Sequence, residues 1–319
     1  MEIKYFDAFL KGWERMKQSL FSKPFNIDKW FAVGFTAFLA NLMSGGSTGS
    51  GSNSFREKYN MGHFDFSEVF NFPDTAYDWL STHQFWFWLV ITGIIFVFAI
   101  IILFTWLSSR GHFMFLHNVV NNNSEVKKPW NEYQKEGDSL FLWRIVFGII
   151  VFFLLITIVV YGFIFAKNTY FGNTTFSDKV VASISLIIIF GIILIITAYI
   201  SLFLKDFIVP VMYKHRLTTT QAWNFFLPTL KSNLFQFLLY GIFILFLWLV
   251  TIAVIVVLGL ATCCIGFLLL AIPYIGTVLL LPVYYTFRAL SVEFLEQFGD
   301  DYKLFPEEET LGEEDTDLQ

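Results

Sequence analysis

Four charged residues at the edges of apolar runs, Arg110, Lys205, Asp206 and Arg288, are the side chains best placed to do chemistry. Lys205 and Asp206 stand together in "LFLKDFIVPVMYKHR", where an uncharged stretch of 25 residues ends. A lysine there can send its ammonium to the headgroups along an apolar stem, whereas an acid gains nothing from anionic lipid and needs a cation or water. Successive helical residues point about 100° apart, so Lys205 is a poor partner for Asp206, and Arg288 or Arg110 is a better one. The four are expected to form an ion-pair cluster that fixes the register of a helix bundle or holds a ligand.

Other chemistry is sparse. "HFDFSE" offers His63, Asp65 and Glu68 as metal donors, but three donors in a flexible stretch are a weak set, and no metal is expected. Cys263 and Cys264 are adjacent, a spacing that suits neither zinc nor an ordinary disulfide, and are expected to be buried thiols. The chain has no Gly-rich phosphate loop, paired-histidine motif or nucleophile elbow, so neither catalysis nor a cofactor is expected.

The elements that must position the cluster are transmembrane helices. Of the residues, 56% are hydrophobic, 20% aromatic and 15% charged, a composition that a soluble domain of 319 residues does not need. The expected fold is all-α: a polytopic membrane bundle of six transmembrane helices, 30–46, 85–107, 141–165, 180–204, 234–260 and 265–287, arranged as three hairpins. No Asp, Glu or His lies in any of these spans, which argues against a proton- or sodium-coupled transporter. Pro273, Gly276 and Pro282 are expected to kink the last pair.

The span 30–46 is short at 17 residues, and charge decides for it. With six spans, 17 Lys and Arg fall on one side and 4 on the other; without the short span the division is 11 to 10. Basic residues concentrate on the cytoplasmic side, so both termini are expected there. The first 24 residues show no apolar signal-peptide core.

Residues 1–24 form an amphipathic segment, with Ile3, Phe6, Phe9, Leu10, Trp13, Met16 and Leu20 within an arc of roughly 140°. It is expected to lie on the inner leaflet or dock beneath the membrane domain, 25–305. The outer loop 47–84 begins as a Gly/Ser linker; Pro73 is expected to open a short interfacial helix with Tyr77, Trp79 and Trp86 at headgroup level. Residues 306–319 read as a solvated acidic tail, and with seven acids after residue 306 they account for the net charge of −5. No basic patch suggests nucleic acid.

A weak repeat runs through the chain. A Trp-headed polar segment precedes the first, third and fifth spans ("GWERMKQSLFSKPF", "PWNEYQKEGDSLFLWR", "AWNFFLPTLKSNLFQF"), and each hairpin returns to a basic residue with an apolar extension ("RGHFMFLHNVV", "KDFIVPVMY", "RALSVEFLEQF"). "LFSKPFNIDKWFAVGFTAFLANL", "GDSLFLWR", "LKDFIVPVMY", the Cys pair and "LPVYYTFRALSVEFLEQFGDDYKLF" together make residues 5–305 resemble a family of uncharacterised bacterial multi-pass membrane proteins. That family is loosely related to six-span membrane domains named for glycerophosphodiester phosphodiesterases, whose soluble catalytic domain has no counterpart here. The resemblance implies the bacterial cytoplasmic membrane and supplies no catalytic residue. The expected role is a membrane-embedded partner or assembly factor in contact with lipids and another membrane protein. The alternative is a lipid or apolar-solute carrier using the kinked hairpin of spans five and six.

Overall fold

A computed structural model describes residues 3–43, 66–172, 176–262 and 265–306. His63, Asp65, Cys263, Cys264, the tail from residue 307 and residues 47–65 of the outer loop lie outside them, as does the Glu68 side chain. The described residues are helical, without strands. In chain order the helices are α1 (Tyr5–Leu20), α2 (Ile27–Asn41), α3 (Phe66–Thr82), α4 (Gln84–Val120), α5 (Lys127–Glu132), α6 (Gln134–Phe171) and α7 (Phe176–Phe203). A π-turn (Leu204–Ile208) follows, then α8 (Val209–His215), α9 (Thr219–Ser232), α10 (Leu234–Ala261), α11 (Ile265–Ala271), α12 (Pro273–Leu279) and α13 (Leu281–Glu296), with a 3-10 turn at Asp300–Tyr302.

Among the described residues four stretches are long and apolar enough to cross a membrane: Gln84–Val120, Gln134–Thr169, Ser183–His215 and Leu234–Ala261. A fifth follows if α12 and α13, bent by 64° at their junction, form one broken span. The expected kinks of 265–287 take the form of two breaks, at Ile272 and Leu280, that divide the segment into three short helices. Pro273 and Pro282 each stand in the first turn of a helix, where a missing N–H costs nothing. Gly276 lets α12 turn back against α11, since a Cβ there would lie 2.5 Å from the Leu270 carbonyl oxygen. Where a short first span was expected at 30–46 the structure has α2, whose 15 residues cover about 22 Å against the roughly 30 Å of a hydrocarbon core, and it is not among those four stretches. α3 starts at Phe66 and carries Pro73 inside it, not at its head, because the apolar spacing of Phe66, Val69 and Phe70 already makes a turn before the proline.

The chain forms two compact units. One comprises residues 1–48, 108–140 and 202–319; the other comprises 49–107 and 141–201.

The first unit has an aromatic core. Phe207, Phe226, Phe237, Tyr240 and Phe294 are fully buried, with ring centroids such as Phe207–Tyr240 at 4.9 Å and Tyr240–Phe294 at 4.5 Å. The three basic-headed extensions seen in the sequence all contribute here: Phe113 to Leu116, Phe207 to Met212 and Ala289 to Leu295 are buried. In α2, Val33, Ala37 and Ala40 are buried, Gly34 meets Val278 of α12, and the Trp30 indole donates to the Val278 carbonyl at 3.0 Å. Ser108 donates to the Ala40 carbonyl at 2.9 Å from the other side. Protein, not lipid, covers much of this helix.

α1 docks along α13, but not through its largest apolar residues. Its buried residues are Ala8, Gly12, Met16, Ser19 and Leu20. A Cβ on Gly12 would lie 2.9 Å from the Leu290 nitrogen, so the two backbones meet where that side chain is missing. Phe6 (63% exposed), Leu10 (42%) and Trp13 (40%) face away. Glu293 fixes the pairing, accepting from Arg15 at 2.5 Å.

The second unit contains α3 and the most apolar parts of α4, α6 and α7. Ile95, Phe96, Phe153, Val159, Val181 and Ile187 are among its many exposed apolar side chains.

Candidate functional site: a basic cavity at the π-turn

The sequence "KDFIVP" explains the local backbone around Lys205. Pro210 has no N–H to give, and its ring would clash with the carbonyl four residues back, that of Asp206. One residue of widening relieves the clash. The Val209 N–H bonds five residues back to the Leu204 carbonyl, the mark of a π-turn. The Lys205 carbonyl is thereby left without a helical donor, since Val209 is engaged elsewhere and Pro210 has none.

Arg288 of α13 takes that place. Its Nη1 donates to the Lys205 carbonyl oxygen at 2.8 Å, and its Nη2 lies 3.4 Å from His112 Nδ1 on α4. Arginine can only donate, so Nδ1 accepts and the imidazole proton sits on Nε2. The Nε of Arg288 is buried and has no hydrogen-bond partner. Asp206 is buried too, and its carboxylate accepts from the Tyr240 hydroxyl at 3.0 Å.

Lys205, Asp206 and Arg288 thus come together as the sequence suggested, with a different connection. Among the described ion pairs none joins Asp206 to Arg288; the guanidinium is held by a backbone carbonyl and the carboxylate by a phenol. Arg110 belongs elsewhere. It forms a two-toothed bridge with Asp138 of α6 at 2.9 and 3.0 Å and lies over the Trp130 ring at 5.0 Å. Asp138, 28 residues away in sequence, reaches it because Gly137 packs against the Arg110 stem.

Tyr240 and His112 were missed as site residues. A tyrosine inside an apolar run needs a partner for its hydroxyl, and the polar pair in "RGHF" supplies the same kind of signal.

Lys205, Asp206 and Arg288 line one cavity of about 40 Å³, room for roughly three waters, with Asn41 among its other lining residues. A second polar cluster lies apart from it in the same unit. There the Tyr213 hydroxyl meets His117 Nδ1 and Asn121 Nδ2, each at 3.0 Å, and the Tyr133 ring stacks on Tyr213 at 4.7 Å. Burial, and then the Tyr213 hydrogen bond, push the Tyr133 phenol well above its ordinary value, so it stays neutral. Among the described residues no group of three or more His, Cys, Asp or Glu could hold a metal ion.

No curated protein and no solved structure matches this chain. A family match covers residues 4–295, nearly the whole described chain, and by it the protein belongs to the family of unknown function DUF7544.

Proposed function

We propose that this protein is an integral protein of a bacterial cytoplasmic membrane that acts as a membrane-embedded partner or assembly factor, with no catalysis of its own. The bareness of its long helices supports this reading. The most apolar 18-residue windows of Gln84–Val120 and Gln134–Thr169 hold no buried residue, and that of Ser183–His215 is only 6% buried. Gly93, Gly148 and Gly191 lie along these helices with open space where a Cβ would be. In lipid, association depends on close packing more than on hydrophobic exclusion, and small residues let a second backbone approach.

Six crossings in three hairpins, with both termini cytoplasmic, belong to the same reading and rest on the 17 to 4 division of basic residues. α2 would cross where its protein neighbours shield it. The partners in this reading are membrane lipids and another membrane protein, not nucleic acid.

Purification of the tagged chain in native nanodiscs tests it. A membrane protein retained in fixed ratio, and lost when Gly93, Gly148 and Gly191 are all changed to Leu, is the expected outcome. Lipid alone, with transfer of lipid between vesicles, would instead support a carrier, the reading favoured by the backbone breaks at Ile272 and Leu280.

A further inference from the structure

We infer that the cavity at the π-turn binds a phosphate group of the kind carried by a phospholipid headgroup. Three observations carry this. Lys205 and Arg288 bring two cations to a space that holds one carboxylate, and that carboxylate already accepts from Tyr240. Arg288 is 3% exposed, lines the cavity and keeps a buried Nε–H without an acceptor, a vacancy that costs free energy unless an oxygen fills it. The Lys205 carbonyl and His112 anchor the two terminal nitrogens of the guanidinium, so the cation is fixed in place before any ligand arrives.

The walls say which source of phosphate suits the cavity. Ile244 and Trp248, one turn apart on α10, line it beside Phe287, whose ring stacks on Trp248 at 5.4 Å. The next residues along α10, Leu245 and Leu249, are 61% and 59% exposed. An acyl chain lying on that exposed face would have its headgroup at the level of Lys205, where the apolar stretch of the chain ends. A phosphodiester there would take one negative charge against a net charge of plus one. Its oxygens accept charge-assisted hydrogen bonds from guanidinium and ammonium donors, which are stronger than those a neutral hydroxyl headgroup can accept.

The test uses the delipidated full-length protein in detergent, with the ligand-induced rise in melting temperature as the readout. Four probes are added separately: phosphatidylglycerol, phosphatidylcholine, dioleoylglycerol as the phosphate-free control, and inorganic phosphate. Phosphatidylglycerol is expected to raise the melting temperature and dioleoylglycerol is not. Lys205→Met should weaken the effect roughly tenfold in lipid concentration, as for loss of one charge-assisted contact, while Lys205→Arg restores it. Reading the shift, not the absolute stability, separates binding from folding, and Arg288→Lys provides a second variant that keeps the charge but loses the guanidinium geometry. A shift with phosphatidylglycerol and phosphatidylcholine alike assigns the site to the shared phosphodiester; an equal shift with inorganic phosphate assigns it to the free anion. Equal shifts with dioleoylglycerol, or phosphatidylglycerol shifts unchanged in Lys205→Met and Arg288→Lys, would overturn the inference.

Discussion

Arg288 gives its hydrogen bond to the backbone carbonyl of Lys205, at 2.8 Å, while the neighbouring Asp206 carboxylate takes its hydrogen bond from Tyr240, at 3.0 Å. Exchanging charges, Asp206→Arg with Arg288→Asp, should therefore not recover the melting temperature that each single change loses, because an aspartate cannot donate to a carbonyl. Tyr240→Phe and Asp206→Asn should each cost about 1–3 kcal/mol by thermal unfolding in detergent. The double variant should cost clearly less than the sum of the two, the sign of a shared contact. Full recovery by the exchanged pair would mean that a direct ion pair governs this site.

How much of this was legible depends on the kind of signal. The long helices were, because 20 or more apolar residues without charge leave no other choice, and so was the grouping of Lys205 with Arg288 at the end of such runs. The π-turn was encoded in Pro210 five residues after Lys205, but a proline announces only a missing donor and a clash, not which side chain will supply the bond. The kinking of the last span was legible in Pro273, Gly276 and Pro282, but its sharpness was not: prolines mark where a helix can break, whereas the 64° bend between α12 and α13 is set by what the pieces pack against. α1 was amphipathic as expected, and Met16 and Leu20 of its apolar arc are buried, yet the rest of the docking face is Ala8, Gly12 and Ser19. An apolar-face argument passes over such residues because they contribute shape, not hydrophobicity.

The Gly12 contact gives the sharpest packing prediction. Gly12→Ala places a Cβ 2.9 Å from the Leu290 nitrogen and 3.2 Å from the Thr286 oxygen, both backbone atoms that cannot swing aside. Destabilisation of about 1–3 kcal/mol is expected, despite the better helix propensity of alanine. Gly93→Ala, with nothing within 4 Å, should instead be neutral or gain up to about 1 kcal/mol. Differential scanning fluorimetry on the two variants side by side checks both signs.

Arg110 and Asp138 form a pair with two hydrogen bonds, but Asp138 is about half exposed, so water screens much of their attraction. Asp138→Asn should cost no more than about 1 kcal/mol, and the loss should shrink in high salt. A loss several times larger, unmoved by salt, would show that the bridge is dry.

Reporter fusions decide the topology. Fusions after residues 60 and 170 should report the outside, and those after 125 and 220 the cytoplasm. A cytoplasmic signal at 60 would mean that α2 enters the membrane without crossing it, and three hairpins would no longer describe the chain.

The docking of α1 on α13 also sets an order of events during synthesis. Arg15 meets Glu293 across 278 residues of chain, so when α1 leaves the ribosome its partner has not been made. At about 5–20 residues per second, the wait is on the order of tens of seconds. The small-residue face of α1 stays available for the partner that arrives last, while Phe6, Leu10 and Trp13 lie on the face turned away from that contact. α1 is thus made well before the helix it docks on, and finds its place only once α13 exists.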